Sequence, residues 1–168
     1  QYVNECTILR NNAINQIFRD SKDRMWVATS EELVLFTHPD NLKDYRVFTT
    51  ENGLASSSIC ALEEDAEGNI WMSTNIGISY YCEADGSFSN YDHTDGALYG
   101  NYMNNSVGKT QDGNIYFGSF NGVCYFNPQE KPMNVILPPT EFTGFKVHGK
   151  NYSDASSDIS LPMPGRRV

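Results

Sequence analysis

The chain has 168 residues, with 12 Lys and Arg against 21 Asp and Glu, a formal net charge of −9. A nucleic-acid binder meets the phosphate backbone with clustered Lys and Arg, and the densest basic pair here is Arg166-Arg167, so that class is excluded. The longest apolar stretches, such as 135–137, fall far short of the roughly 20 residues a membrane span needs. The chain is therefore expected to be soluble as it stands. It has neither an initiator Met nor a leader pattern of basic, apolar and small residues, and reads as a piece of a longer protein.

Ten Tyr, nine Phe and two Trp occur without long runs of Ala, Leu, Glu and Lys, the balance of an all-β protein. Thirteen Gly, with many Asn and Asp, supply the turns that short strands require. A period organises them. Residues 14–36 align without a gap on 59–81 at an offset of 45, bringing Asp20 onto Asp65, Trp26 onto Trp71, Thr29 onto Thr74 and Phe36 onto Tyr81. A third copy over 104–126 follows at the same offset, with Gly113 on Gly68, Tyr116 on Trp71, Gly122 on Gly77 and Phe126 on Tyr81.

In chain order, Val3 and Leu9 stand 45 before Phe48 and Leu54, so the chain opens in the last strand of a preceding copy. The middle copy reads most clearly: strands over 59–63, 70–74, 78–82 and 87–92, with turns at 65–69, 75–77 and 84–86. Four strands in ~45 residues is one β-propeller blade. Such a unit cannot bury its two faces alone, so blades must stack. Trp26, Trp71 and Tyr116, with Ile70, Met72, Ile115 and Phe117, are the expected core between blades. The first copy has Asp23 and Glu32 where two turn glycines belong, which puts its turn geometry in question. Pro128 and Pro132 break the pattern after the third copy. Beyond a Pro138-Pro139 boundary, alternating Phe142, Phe145 and Val147 read as the first strand of a different β module. The expected architecture is all-β: about three four-stranded blades over 1–132, then a linker and truncated β module over 133–168.

The segment 63–81, preceded by Asn52-Gly53-Leu54, resembles the two-component regulator propeller repeat: Asp65, Gly68, Ile70-Trp71-Met72, Ser73-Thr74, Gly77-Ile78 and the aromatic pair Tyr80-Tyr81 fall on its pattern. Residues 138–150 are similar to the start of the Tyr-Tyr-Tyr module, an immunoglobulin-like domain that follows such propellers. The resemblance implies a periplasmic sensor region of a Bacteroidetes-type hybrid two-component system, detecting an oligosaccharide and signalling to a histidine kinase. It implies no enzyme in this segment. His38, His93 and His148 lie in loops or the new module, not on a phosphoacceptor helix, and read as surface residues. Membrane contact is expected only through segments of the parent outside this sequence. The second reading is a propeller scaffold for dimerisation or protein contacts.

In a propeller the turns between second and third strands and the loops entering the next blade share one face, and ligand sites concentrate on loops held by a rigid scaffold. These are 30–32, 75–77, 120–122, 55–58 and 96–105. Tyr99 and Tyr102 suit stacking on sugar rings, and Asn101, Asn104 and Asn105, joined by Asn75, Asn121 and Glu31, supply donors and acceptors for hydroxyls. The same residues also suit a structural role, Tyr102 and Met103 packing between blades and the asparagines making turns. Amides and aromatics without a basic clamp favour a neutral glycan. No cofactor or metal is expected: acidic turns such as 20–23 and 65–68 lack a calcium loop's spaced oxygens, and Cys6, Cys60, Cys82 and Cys124 lack ligand spacing. Catalytic carboxylates are candidates by position only, at Glu31, Glu32 and Glu51. Three blades cannot close a ring, so their uncovered faces predict self-association.

Overall fold

The computed structural model describes residues 9–10, 13–41, 43–130, 145–147 and 150–152. The chain divides into two units, 1–131 and 132–168.

The first unit holds three antiparallel meanders. Blade one runs β1 (Ile14–Arg19), β2 (Met25–Thr29), β3 (Leu33–Phe36) and β4 (Tyr45–Phe48), hydrogen-bonded in that order. Blade two repeats the order with β5 (Ile59–Glu64), β6 (Ile70–Thr74), β7 (Ile78–Tyr81) and β8 (Phe88–Tyr91). Blade three contains β9 (Tyr102–Lys109), β10 (Ile115–Ser119) and β11 (Gly122–Phe126), three strands among the described residues. The 45-residue offset from β8 falls at 133–136, within the stretch read above as linker, and those residues lie outside the described ones. In the second unit, β12 (Phe145–Val147) pairs with β13 (Lys150–Tyr152) as a hairpin. Other expectations for 131–168, including His148, and those for Val3 and Cys6, lie outside the described residues.

Two turn devices, both spelled out in the sequence, set each meander. At the first turn, Asp65 accepts from the backbone N–H of Glu67 and Asn69, and Asp20 does the same for Lys22 and Arg24. The turn needs one residue at positive φ, and Gly68 supplies it at 83°. Asp23 occupies the same position in blade one at 67°, so its turn keeps the geometry that the missing glycine called into question. Asp is among the few side chains that tolerate this region. At the second turn, Thr74 Oγ1 accepts from the N–H of Ile76 and Gly77 and donates to the Gly77 carbonyl. Thr29 repeats all three bonds in blade one, and Ser119 in blade three accepts from the Asn121 N–H and donates to the Gly122 carbonyl.

The blades stack face to face. Trp26, Ala28, Leu33, Leu35 and Phe48 of blade one pack against Leu54, Ile59, Leu62, Ile70, Met72 and Tyr81 of blade two and its approach. Trp71, Ile78 and Tyr80 on the other face of blade two pack against Tyr102, Ile115, Phe117 and Cys124 of blade three. Both Trp residues are core, as their spacing predicts. Tyr116 is only half-buried, on the uncovered face of blade three, stacked on Tyr125 at 5.4 Å.

Polar clamps reinforce the joint between blades one and two. Gln16 pairs its side-chain amide with both backbone groups of Leu62, donating to the carbonyl and accepting from the N–H. On the opposite end of the strands, Arg24 bridges Asp20 and Glu83, at 2.6 and 2.8 Å. Burial alone would raise the Asp20 carboxyl, but hydrogen bonds from Trp26 and Arg24 outweigh it and hold that carboxyl below its ordinary range. Glu83 is likewise raised by burial and lowered more strongly by Arg24 and Lys22.

Candidate functional site

Tyr99, Asn101 and Asn121 come together at one end of blade three. The loop 96–101 lies against the β10–β11 turn, tied by two hydrogen bonds: Asn121 Nδ2 donates to the Tyr99 carbonyl at 2.6 Å, and the Phe120 N–H donates to the Asn101 carbonyl at 3.2 Å. Gly100 permits this approach, because a Cβ there would stand 2.6 Å from Asn121 Nδ2 and the backbone has φ 115°. The Asn121 amide is thus a brace for the loop. Two rings stand out from this pinned pair of loops, Tyr99 at 76% exposure and Phe120 at 75%. His93 meets Tyr99 edge to face at 5.8 Å. A rigid loop pair bearing exposed rings beside amide groups is suited to the apolar faces and hydroxyls of a sugar.

Tyr102 does not join them. Its ring is 3% exposed, packed between blades two and three, with its hydroxyl accepting from the Leu98 N–H. The structural alternative holds for this residue, and a sugar-stacking role does not fit a ring withdrawn from solvent. Met103, by contrast, is 44% exposed. The reason is register. In blades one and two the innermost strand carries a one-residue bulge, between Ile14 and Gln16 and between Ile59 and Ala61. In blade three Tyr102 pairs with Ser119 and Val107 pairs with Phe117, so residues 103–106 stand opposite Gly118 alone. The strand therefore starts two residues ahead of the 45-residue register, and Tyr102, not Asn104, takes the place of Ile59.

This enlarged bulge redirects the asparagines. Asn105 adopts φ 53°, a left-handed conformation that for a side-chain-bearing residue marks a constrained, often functional, position. Asn104 Nδ2 reaches across to Asn15 Oδ1 of blade one at 2.8 Å, and Asn15 Nδ2 donates to the Ile59 carbonyl of blade two at 2.7 Å. One chain of amides thus joins the innermost strands of all three blades. Asn15 was not legible as a site residue, since a lone polar position in a strand carries no signal by itself. The two-residue mismatch at Tyr102 was the available clue to the bulge.

Asn75 and Glu31 are exposed in the corresponding turns of blades two and one. Glu32 beside it is 1% exposed, and its Oε1 accepts from the Arg10 N–H at 2.7 Å. Among the described residues no group of three or more His, Cys, Asp and Glu side chains is placed to hold a metal. Cys60, Cys82 and Cys124 are free, and burial pushes the Cys60 thiol up to about 11. No helix among the described residues is long and apolar enough to cross a membrane.

Stacked antiparallel meanders, two of four strands and one with three among the described residues, define a β-propeller array. Residues 8–31 and 53–75 match the family described as Two component regulator propeller. It is similar to the extracellular domain of a hybrid two-component system from B. thetaiotaomicron, at 37% identity and a TM-score of 0.76, over 92% of this chain and 22% of that one. It is 30% identical to histidine kinase P4 of Formosa agariphila over 106 residues, 63% of this chain and 8% of the kinase. The chain thus spans less than a quarter of either relative. A catalytically inactive virginiamycin B lyase from Staphylococcus aureus shares the fold alone, at 14% identity and a TM-score of 0.51, over 71% of this chain and 43% of the lyase.

Proposed function

We propose that this chain is part of the ligand-sensing region of a two-component system, held in the periplasm, and that it binds a neutral oligosaccharide and relays its presence to a histidine kinase elsewhere in the parent. The observation that carries the ligand half is that Tyr99 and Phe120, both three-quarters exposed, stand on two neighbouring loops tied together through Asn121. Isolated exposed aromatics are ordinary on a protein surface, whereas two on hydrogen-bonded neighbouring loops form a platform. The likeness to an extracellular domain of a hybrid two-component system supports the sensing context.

The recognition chemistry follows from the residues. Ring faces of Tyr99 and Phe120 stack on C–H-bearing sugar faces, while Asn101 and Asn105 offer amides to hydroxyls. The net charge of −9 disfavours a polyanionic glycan. Calorimetric titration with neutral and sulfated oligosaccharides tests this. Saturable binding of a neutral sugar, insensitive to salt, is expected; binding confined to sulfated or uronic-acid chains contradicts it.

A further inference from the structure

The loop entering each blade is anchored at the same backbone N–H, and each blade anchors it with a different side chain. In blade one the Arg10 N–H donates to Glu32 Oε1 at 2.7 Å. At the equivalent position 45 residues on, the Ala55 N–H donates to Asn90 Oδ1 at 2.9 Å and to Ser79 Oγ at 3.3 Å, and Ser79 donates in turn to the same Asn90 oxygen. Asn90 Nδ2 also donates to the Gly53 carbonyl at 2.8 Å, so one amide grips that loop at two points. In blade three the Leu98 N–H donates to the Tyr102 hydroxyl at 3.1 Å.

Leu98 is the counterpart of Ala55 at an offset of 43, the shift that the bulge at 103–106 imposes. One-turn 3-10 helices at Thr50–Asn52 and His93–Asp95, each closed by a capping box and followed by a glycine at positive φ, mark the same offset. The three acceptors come from the β2–β3 turn, from β7 and β8, and from β9, so no repeat pattern connects them. Tyr102 meets two demands at once. Its ring fills the inter-blade place that Ile59 holds in blade two, and its hydroxyl supplies an acceptor that an Ile there would lack.

We infer that Tyr102 is a positioning residue for the ligand platform, its buried hydroxyl holding the loop that presents Tyr99. The bond to the Leu98 N–H and the bond from Asn121 to the Tyr99 carbonyl grip the backbone immediately before and after the Tyr99 Cα. A loop fixed in this way does not have to be ordered when a ligand arrives, which strengthens binding without a contact from Tyr102 itself. The inference deepens the sensing reading and rests on it for the sugar. The anchor itself belongs to the free protein.

Tyr102→Phe keeps the packed ring and removes the acceptor. Amide exchange by NMR and titration with neutral gluco-, manno- and galacto-oligosaccharides test it on the 168-residue chain, with circular dichroism to confirm folding. Exchange at Leu98 is expected to rise several-fold, up to about tenfold, with Ala55 unchanged. Asn90→Ala, at an exposed position, is expected to give the reverse pattern. Sugar affinity is expected to fall roughly 2- to 10-fold in Tyr102→Phe, and to fall no further when Tyr102→Phe is added to Tyr99→Ala. Unchanged exchange at Leu98 would overturn the anchor, and an equal loss of affinity in both backgrounds would overturn its action through Tyr99. A wild type that binds none of these sugars, with Leu98 exchange still raised in Tyr102→Phe, would uphold the anchor and refute the sensing reading alone.

Discussion

The indole N–H of Trp71 donates to Asp65 Oδ2 at 3.0 Å, and Trp26 makes the same bond to Asp20 at 2.8 Å. One carboxylate therefore holds the first turn of its blade and satisfies the buried polar edge of the ring that packs between blades. Blade three shows the dependence: Thr110 stands in place of the Asp and Tyr116 in place of the Trp, so donor and acceptor are replaced together. Thr110 still turns the chain through its backbone, accepting from the Gly113 N–H and donating to Asn114.

Asp65→Ala leaves a buried indole N–H and two turn N–H groups without their acceptor. A loss of about 1–3 kcal/mol is expected from urea unfolding followed by Trp fluorescence. A double-mutant cycle with Trp71→Phe is expected to give a coupling of about 0.5–3 kcal/mol. Additive losses would show that the bond contributes nothing of its own.

Gly77 and Glu32 hold equivalent turn positions in different surroundings. A Cβ on Gly77 would lie 2.4 Å from the Tyr91 carbonyl oxygen, a backbone atom that cannot swing away. Gly77→Ala is therefore expected to cost about 1–3 kcal/mol through overpacking. The melting temperature reads this directly, and an unchanged value would mean that β8 shifts freely.

Acid should loosen the joint between blades one and two. Asp20 and Glu83 are held below their ordinary carboxylate values in the folded state, so the stability they contribute is present above the unfolded values, about 3.9 and 4.3, and is lost as pH falls through the lower folded ones. Thermal melts across that acid range are expected to drop more steeply for the wild type than for Glu83→Gln, which has no such carboxylate to protonate. Parallel curves would contradict the clamp.

The brace and the platform can be separated. Tyr99→Ala or Phe120→Ala removes one stacking face and is expected to weaken sugar binding roughly 2- to 10-fold. Asn121→Ala touches the sugar only through the Tyr99 loop, so it should also raise amide exchange over 98–101. Weakened binding without faster exchange would assign Asn121 a direct contact instead.

Much of the fold was legible because the repeat carries its own punctuation. Asp65, Gly68, Thr74 and Gly77 each perform a bonding task that their residue type announces, and the strand bounds of blade two follow from them within a residue or two. Asp23 was harder to read, since only the backbone shows that a non-glycine residue takes positive φ there. The site was less legible. Tyr99 and Asn101 were found as loop residues, but Tyr102 looks identical in sequence and is buried, because the bulge at 103–106 shifts the strand by two residues against a repeat that otherwise holds its register. Phe120 reads as an ordinary turn residue until the Asn121–Tyr99 bond ties its turn to the loop that carries a second exposed ring.

The most direct test of the sensing account is a neutral-oligosaccharide array probed with the wild-type chain and with the Tyr99→Ala, Phe120→Ala double variant. Saturable binding to a defined sugar, lost in the double variant while circular dichroism is unchanged, is the predicted result. No binding above background, or equal binding by both proteins, would contradict it.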